Sequence, residues 1–563
     1  MTRIQVATGK ELVMKRVMIL ALVVGLAATA TACGGKKSSS SKSGGSSVTI
    51  SNEQGTTWTC GFNPFNSNVN FLSFGPVYEE LTFVNGLKSG ATTDWLASNY
   101  AWSNGNKTLT VTIRKGVKWS DGKPFSAADV LFTFNLLKKH PALDLNASWS
   151  VLKNVTQNGD KVVFNFKTSA VPYFYYIAAQ TPIVAQHIWS SIANPVTYKD
   201  THPVGTGAFK MNSCSPQVIK YTKNSGYWQK GLPKLDTVYY PAFTSNEPAN
   251  QQLASGKAQW GSQFIPNINA YYLKKNPDNH YWFPPLVNVS VFINLKDPVL
   301  SNVAVRKAMA YAIDRSKVAE IGEYGYEPAS NQTGIVTPTF QDWLDPNLAK
   351  QVSYNPGKAE STLKAAGFKK SGGIYHTPDG KPLSFTILNI GGYSDWVASV
   401  QVIQEELKAV GIKITPENLS STTYDNNVYN GKYQLAYDGN ESGGPAPYYE
   451  LRQLLYSKNS APIGQPAASN WERYSNPKVD ALIDQYGATT DKATQHKIVK
   501  QLEAVMVNEI PVIPVTEAVD WYQYNTKSLD GWVLKNDPYA RPAAYENPDW
   551  GVMLLHLKGK GSS

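Results

Sequence analysis

The chain is poor in the residues that build chemical centres. It has three cysteines and seven histidines in 563 residues. The histidines, at 140, 187, 202, 280, 376, 496 and 556, show no paired metal-ligand spacing, so no metal site is expected. Charged residues make up only 17% against 42% hydrophobic, a balance that excludes a wholly disordered or collagen-like chain. Long basic runs are missing too. Of the net +11, residues 1–33 carry +3 and Lys36, Lys37 and Lys42 another +3; the +5 that remains forms no run or helix stripe, so nucleic acid is not an expected partner. Enzyme signatures are equally scarce. Gly116 and Gly122-Lys123 miss the phosphate-loop spacing and carry Pro124 where serine or threonine belongs, and Gly205-Thr206-Gly207 lacks the third glycine of a dinucleotide loop. Between Gly439 and Gly443 stands Glu441 rather than a nucleophilic serine. Neither catalysis nor a cofactor is expected, and a hydrolase is kept as the alternative class.

What the chain has in excess is aromatic surface: 15 Trp, 32 Tyr and 19 Phe. Tryptophan and tyrosine offer flat apolar faces with a polar edge, which suits gripping a polar ligand. The length exceeds what one hydrophobic core usually supports and implies at least two lobes.

The first residues set the compartment. Lys15 and Arg16 precede an apolar run from Val17 to about Ala28, then Thr29, Ala30, Thr31, Ala32 and Cys33. Charge, short apolar region and small residues in that order read as a secretory signal, the run being short for a membrane span. The small residues before Cys33 resemble a bacterial lipobox, which implies that Cys33 is lipidated and becomes the mature N-terminus. Met14 is an alternative start to Met1. Residues 34–47, rich in Gly, Ser and Lys, cannot bury apolar surface and read as a flexible tether. With Cys33 assigned to lipid, Cys60 and Cys214 remain; an exported protein allows them to pair, two separate buried thiols being the alternative.

From Val48 onward strand and helix patterns alternate. Leu109, Val111 and Ile113 alternate with polar residues as in a half-buried strand. Ser126 and Asp129 form a capping box ahead of Val130, Leu131, Phe134 and Leu137, and Pro141 stops that helix. Asn355-Pro356 opens a helix that Gly367 closes, and Asn476-Pro477 opens another ending near Gly487. A strand is predicted over 385–388, then a helix from about Asp395 to Val410 with Val397, Val400, Ile403 and Leu407 on one face. The proline-rich stretch 510–515 reads as an edge or crossover segment. The class is mixed α/β with more than one sheet.

Several stretches together resemble the peptide/nickel-type extracellular solute-binding proteins (family 5), the ABC-importer receptors that include oligopeptide- and dipeptide-binding members. They are LTVTIRKGVKWSDGKPFSAADVLFTFNLL at 109–137, VGTGAFK at 204–210, NSGYWQKGLPKLD at 224–236, FINLKDPVLSNVAVRKAMAYAIDRSKV at 292–318 and YNPGKAESTLKAAGF at 354–368. Tyr474-Ser475-Asn476-Pro477 with Val479-Asp480, and 510–515, follow in family order. The resemblance implies a two-lobed periplasmic-binding-protein-like α/β fold (type II) with an extra domain inserted in the first lobe. Carried over, the first lobe comprises 48–80, 200–290 and 516–563, the inserted domain 81–199 and the second lobe 291–515. It further implies a monomeric binding protein, held by lipid outside the cytoplasmic membrane, that closes on a solute and delivers it to ABC permease subunits.

The resemblance ranks oligopeptide as cargo, with a cellobiose-like oligosaccharide as the alternative. In peptide-binding members a carboxylate shortly before a proline pairs with the ligand's amino terminus; counting back from Pro445 reaches Glu441. The Gly-Pro-Ala-Pro-Tyr-Tyr at 444–449 also resembles oligosaccharide-binding members. Rings to stack on sugar faces are expected from Trp58, Trp260, Tyr448, Tyr449, Trp471 and Trp521, with Asn440 and Glu441 as the polar edge.

Overall fold

The structure is a computed structural model that describes residues 46–88, 90–440 and 443–561. The leader, Cys33, most of the tether and Glu441 lie outside the described residues. Among the described residues no helix is long and apolar enough to cross a membrane.

Two large sheets dominate. The first has seven strands in the order Asn279–Tyr281, Gln523–Asn525, Trp260–Gly261, Ser47–Ser51, Thr237–Pro241, Val218–Lys223 and Phe209–Cys214. Its central strand, Ser47–Ser51, runs parallel to both neighbours and buries Val48 and Ile50 completely. The second sheet orders Lys413–Leu419, Ser384–Ile390, Leu435–Gly439, Pro285–Ile293 and Val512–Val519. Val512–Val519 is its edge strand, the place where Pro514 costs the ladder least. A smaller antiparallel sheet of Ala97–Ser103, Thr108–Ile113, Lys161–Phe166 and Leu152–Asn158 lies within residues 81–199.

Local sequence signals explain the helices. Ser126 caps helix Ala127–Lys139 with the reciprocal Asp129 bond, and Asn355 and Asn476 cap helices Pro356–Ala365 and Pro477–Ala488. In strand Thr108–Ile113, Leu109, Val111 and Ile113 are buried while the residues between them are half-exposed.

The chain crosses between the two large sheets twice, at 282–284 and 520–522, and the crossings are bonded to each other: Trp282 N–H donates to the Tyr522 carbonyl (3.0 Å) and Asp520 N–H to that of Pro284 (2.8 Å). Arg541 ties both, donating to the Pro285 carbonyl (3.3 Å) and to Asp520 Oδ2 (3.2 Å). The expected changeovers at 290/291 and 515/516 fall inside strands Pro285–Ile293 and Val512–Val519, which both belong wholly to the second sheet. The pattern of apolar residues continues through each crossing, so composition alone leaves the boundary unmarked. Cys60 and Cys214 are joined by a disulfide (S–S 2.05 Å), which ties the loop after the first strand to the edge of its own sheet.

Candidate ligand-binding site

The cleft consists of two adjoining chambers of about 450 and 530 Å³ between the sheets. Phe71, Tyr393, Trp396, Asp425 and Asn440 line both, so the chambers are continuous. Volumes of this size suit a small oligomeric ligand.

The walls come from loops at strand ends and from helix first turns. Trp58 lies in the loop after Ser47–Ser51; its indole donates to the Tyr240 carbonyl (2.8 Å) and its ring meets Tyr240 edge-on at 5.1 Å. Trp471 sits between Phe292 (5.2 Å) and Tyr429 (5.0 Å), and its buried Nε1 has no partner. Trp521, on the second crossing, packs edge-on against Phe283 (4.9 Å) and Phe264 (5.5 Å). Asn440 ends strand Leu435–Gly439; its Nδ2 donates to Glu450, which also accepts from the backbone (3.0 Å) and side chain (2.8 Å) of Asn288, and its Oδ1 is unpartnered. These four expected residues line the cleft.

The other expected rings do not. Trp260 is fully buried behind the first sheet, donating to the Pro542 carbonyl (2.9 Å) and packed on Trp532. Tyr448 stacks on Tyr486 at 4.0 Å, and the Tyr449 hydroxyl donates to the Pro172 carbonyl (2.9 Å), joining helix Pro447–Leu455 to the stretch that follows strand Lys161–Phe166. Each is core because a neighbouring element covers the face that a ligand would need.

Sequence reasoning missed Tyr393, Trp396, Glu53, Asp425 and Arg452. Trp396 carried one signal, lying off the Val397/Val400/Ile403 stripe of its helix. Glu53 carried another, standing just past the carboxyl end of a parallel strand, where open α/β sheets bind ligands. The charges are unevenly shared. The larger chamber is lined by Glu53, Glu327, Asp395 and Asp425 and by no lysine or arginine among the described residues. Burial pushes Glu53 up to about 9 and Asp425 to about 7, and Glu53 Oε2 has no partner. The smaller chamber is lined by Asp144, Asp425, Asp438 and Glu546 and also holds Arg452, whose guanidinium lies over the Tyr173, Tyr176 and Tyr456 rings and whose Nε is unpartnered. No group of three or more metal-ligating side chains occurs among the described residues.

A direct consequence concerns the tryptophans. Trp471→Ala removes a cleft wall and is expected to weaken ligand by about 30-fold, on the order of 2 kcal/mol, besides lowering folding stability, since the ring is buried between Phe292 and Tyr429. Trp260→Ala is expected to lower folding stability by about 3–5 kcal/mol while the molecules that fold bind as before. Calorimetric titration and melting curves of the two variants separate these outcomes.

Comparison with known proteins agrees with this geometry. Residues 91–462 match the family model described as bacterial extracellular solute-binding proteins, family 5 middle. The chain is 28% identical over 470 residues to the glutathione-binding protein GsiB of Salmonella paratyphi A (strain ATCC 9150 / SARB42), covering 79% of this chain and 84% of the relative. Among solved structures, a mannohexaose-bound periplasmic oligopeptide-binding protein of an ABC transporter from Thermotoga maritima superposes with a TM-score of 0.85 at 26% identity, over 92% of this chain and 99% of that one. Bacillus subtilis AppA, bound to a nonapeptide, shares the fold with a TM-score of 0.78 at 21% identity, over 91% and 98%. A two-lobed α/β body of the type II periplasmic-binding-protein class, with a solute-sized cleft and a family match over most of its length, places this chain in family 5 of the bacterial extracellular solute-binding proteins, the receptors of ABC importers.

Proposed function

We propose that this chain captures short oligopeptides for an ABC importer, as a monomer tethered through a lipid on Cys33 at the outer face of the cytoplasmic membrane. The observation that carries the peptide reading is the charge layout of the cleft. A free peptide brings an ammonium and a carboxylate, and enclosing either without a counter-charge costs several kcal/mol. Asp425 lines the larger chamber, which holds no lysine or arginine among the described residues, and the smaller chamber, which shares Asp425 and also contains Asp144, Asp438 and Glu546, holds Arg452 with an unpartnered Nε. Glu441, four residues before Pro445, is a further candidate partner for the amine. A relative named for binding glutathione, itself a short peptide, supports the same class.

A ligand that binds only the folded state raises the melting temperature. Free-ended peptides of three to six residues are therefore expected to stabilise the protein, and the same peptides acetylated and amidated at their ends to do so much less. Equal stabilisation by both sets would remove the charge argument.

A second reading, oligosaccharide, is favoured by a separate observation. Trp58, Trp396, Trp471 and Trp521 line the cleft, and Trp471 Nε1 and Asn440 Oδ1, buried in its walls, have no protein partner. The mannohexaose carried by the Thermotoga maritima neighbour supports it. Stabilisation by cello-, xylo- or manno-oligosaccharides and by no peptide would put this reading first.

A further inference from the structure

At the seam between the lobes, four carboxyls are buried together without a counter-ion. Glu53 follows strand Ser47–Ser51 of the first sheet, Asp395 lies in the first turn of helix Ser394–Ala409, and Glu323 and Glu327 follow helix Arg315–Ile321. All four are at most 6% exposed. The seam is tight: Asn246, on a helix of the first-sheet side, takes the Gly392 carbonyl through its N–H (3.2 Å) and reaches Asp395 Oδ1 (3.2 Å) and Ser394 Oγ (3.1 Å) through its amide. A β-carbon placed on Gly392 would lie 3.0 Å from Glu53 Oε1.

The groups facing these carboxyls are neutral donors, tyrosines and one another. Glu53 accepts from Gly55 N–H and faces Asp395 and Tyr393; its Oε2 is unpartnered. Asp395 faces Asn246 and the backbone N–H groups of its own helix start, and its charge acts on Glu323 and Glu327. Glu323 accepts from Ser399 (2.9 Å) and Glu327 from Thr516 (2.7 Å), with Tyr437 beside both and Tyr545 beside Glu327. Among the described residues, no lysine, arginine or histidine acts on any of the four.

We propose that this seam is a proton-dependent latch: the lobes shut by burying Glu53 against Asp395 in protonated form, so that acid favours the closed receptor and rising pH opens it. Buried carboxyls without a cation cannot all stay ionised, whereas in an opened seam Glu53 and Asp395 meet water and ionise near the ordinary value of about 4. Burial raises Glu53 to about 9, Glu327 to about 8 and Asp395 to about 6. A value raised in the shut form means that closure takes up protons. The contribution is therefore complete below the ordinary carboxyl range and is lost as pH climbs toward about 9, by up to about tenfold in the closed-to-open ratio per pH unit for each group. Glu53 carries most of it, because Glu323 and Glu327 are also covered by their own side of the cleft through Ser399 and Thr516.

The test needs no ligand, so it is independent of which cargo is correct. Small-angle scattering of the ligand-free protein from pH 5 to 8.5 is expected to show a radius of gyration that grows with pH. Glu53→Gln, which keeps the shape and removes the titration, is expected to hold the compact radius across the range; should that variant fail to fold, Glu53→Met, which removes the same titration, is read the same way. A wild-type radius that does not move with pH, or a variant that tracks the wild type, overturns the latch.

Discussion

A Gly205→Ala protein is expected not to accumulate in folded form. A β-carbon at Gly205 would lie 1.8 Å from the Val77 carbonyl oxygen and 2.5 Å from its carbon. The obstacle is backbone, which cannot turn aside as a side chain can. Gly207 is placed likewise, its β-carbon position 2.3 Å from the Pro76 oxygen. The approach is held by three backbone bonds: Gly207 N–H to Val77 (2.9 Å), Phe209 N–H to Pro76 (2.9 Å) and Ser120 N–H to the Gly205 carbonyl (2.8 Å). Forcing the segments apart breaks these bonds and strains the backbone, which puts the cost above about 4 kcal/mol. Gly357→Ala is the matching control. Its β-carbon would meet nothing nearer than Asn355 Oδ1 at 3.6 Å, and the position is in the first turn of a helix, so stability is expected to hold or rise by up to about 1 kcal/mol. Yield of soluble protein and melting curves decide both. The Val204-Gly205-Thr206-Gly207 stretch thus owes its glycines to close backbone packing and not to a phosphate.

Removing the Cys60–Cys214 bond is the second large expected effect. The bond closes a span of 154 residues, and restricting that loop in the unfolded chain corresponds to about 5 kcal/mol. For a chain of this size the unfolding entropy is on the order of 1 kcal/mol per degree, so the melting temperature is expected to fall by about 5 °C on reduction or in a Cys60→Ser/Cys214→Ser variant. Function should suffer as well. Trp58 stands two residues from Cys60, and its N–H is bonded to the Pro216 carbonyl (3.0 Å) close to Cys214. The bond therefore holds a cleft wall as well as the fold. A melting temperature unchanged by reduction would show that the loop is fixed without it.

Much of the local architecture was legible because it depends on neighbours in sequence. The Ser126/Asp129 box, the Asn-Pro helix starts and the alternation at Leu109, Val111 and Ile113 act over three or four residues, and the structure shows each. The edge position of the proline-bearing strand Val512–Val519 followed from the missing N–H. Half of the proposed site was legible in the same way: Trp58, Asn440, Trp471 and Trp521 were picked as rings or amides suited to a ligand, and they line the cleft. Trp260, Tyr448 and Tyr449 met the same criterion and are core, because a ring suited to a ligand is equally suited to packing edge-on against Trp532 or Tyr175 or stacking on Tyr486.

By itself, then, the sequence determined the mixed α/β class, the helix and strand starts, and the family with its two lobes. Only the tertiary structure decided which aromatic faces stay uncovered and which carboxyls share one space. Glu53 and Asp395 are over 300 residues apart in the chain, as are Arg452 and the Asn146 carbonyl to which it donates (3.0 Å). The reason is physical: a side chain's chemistry is fixed by its own atoms, but its exposure and the cost of its charge are fixed by whatever the rest of the fold brings against it.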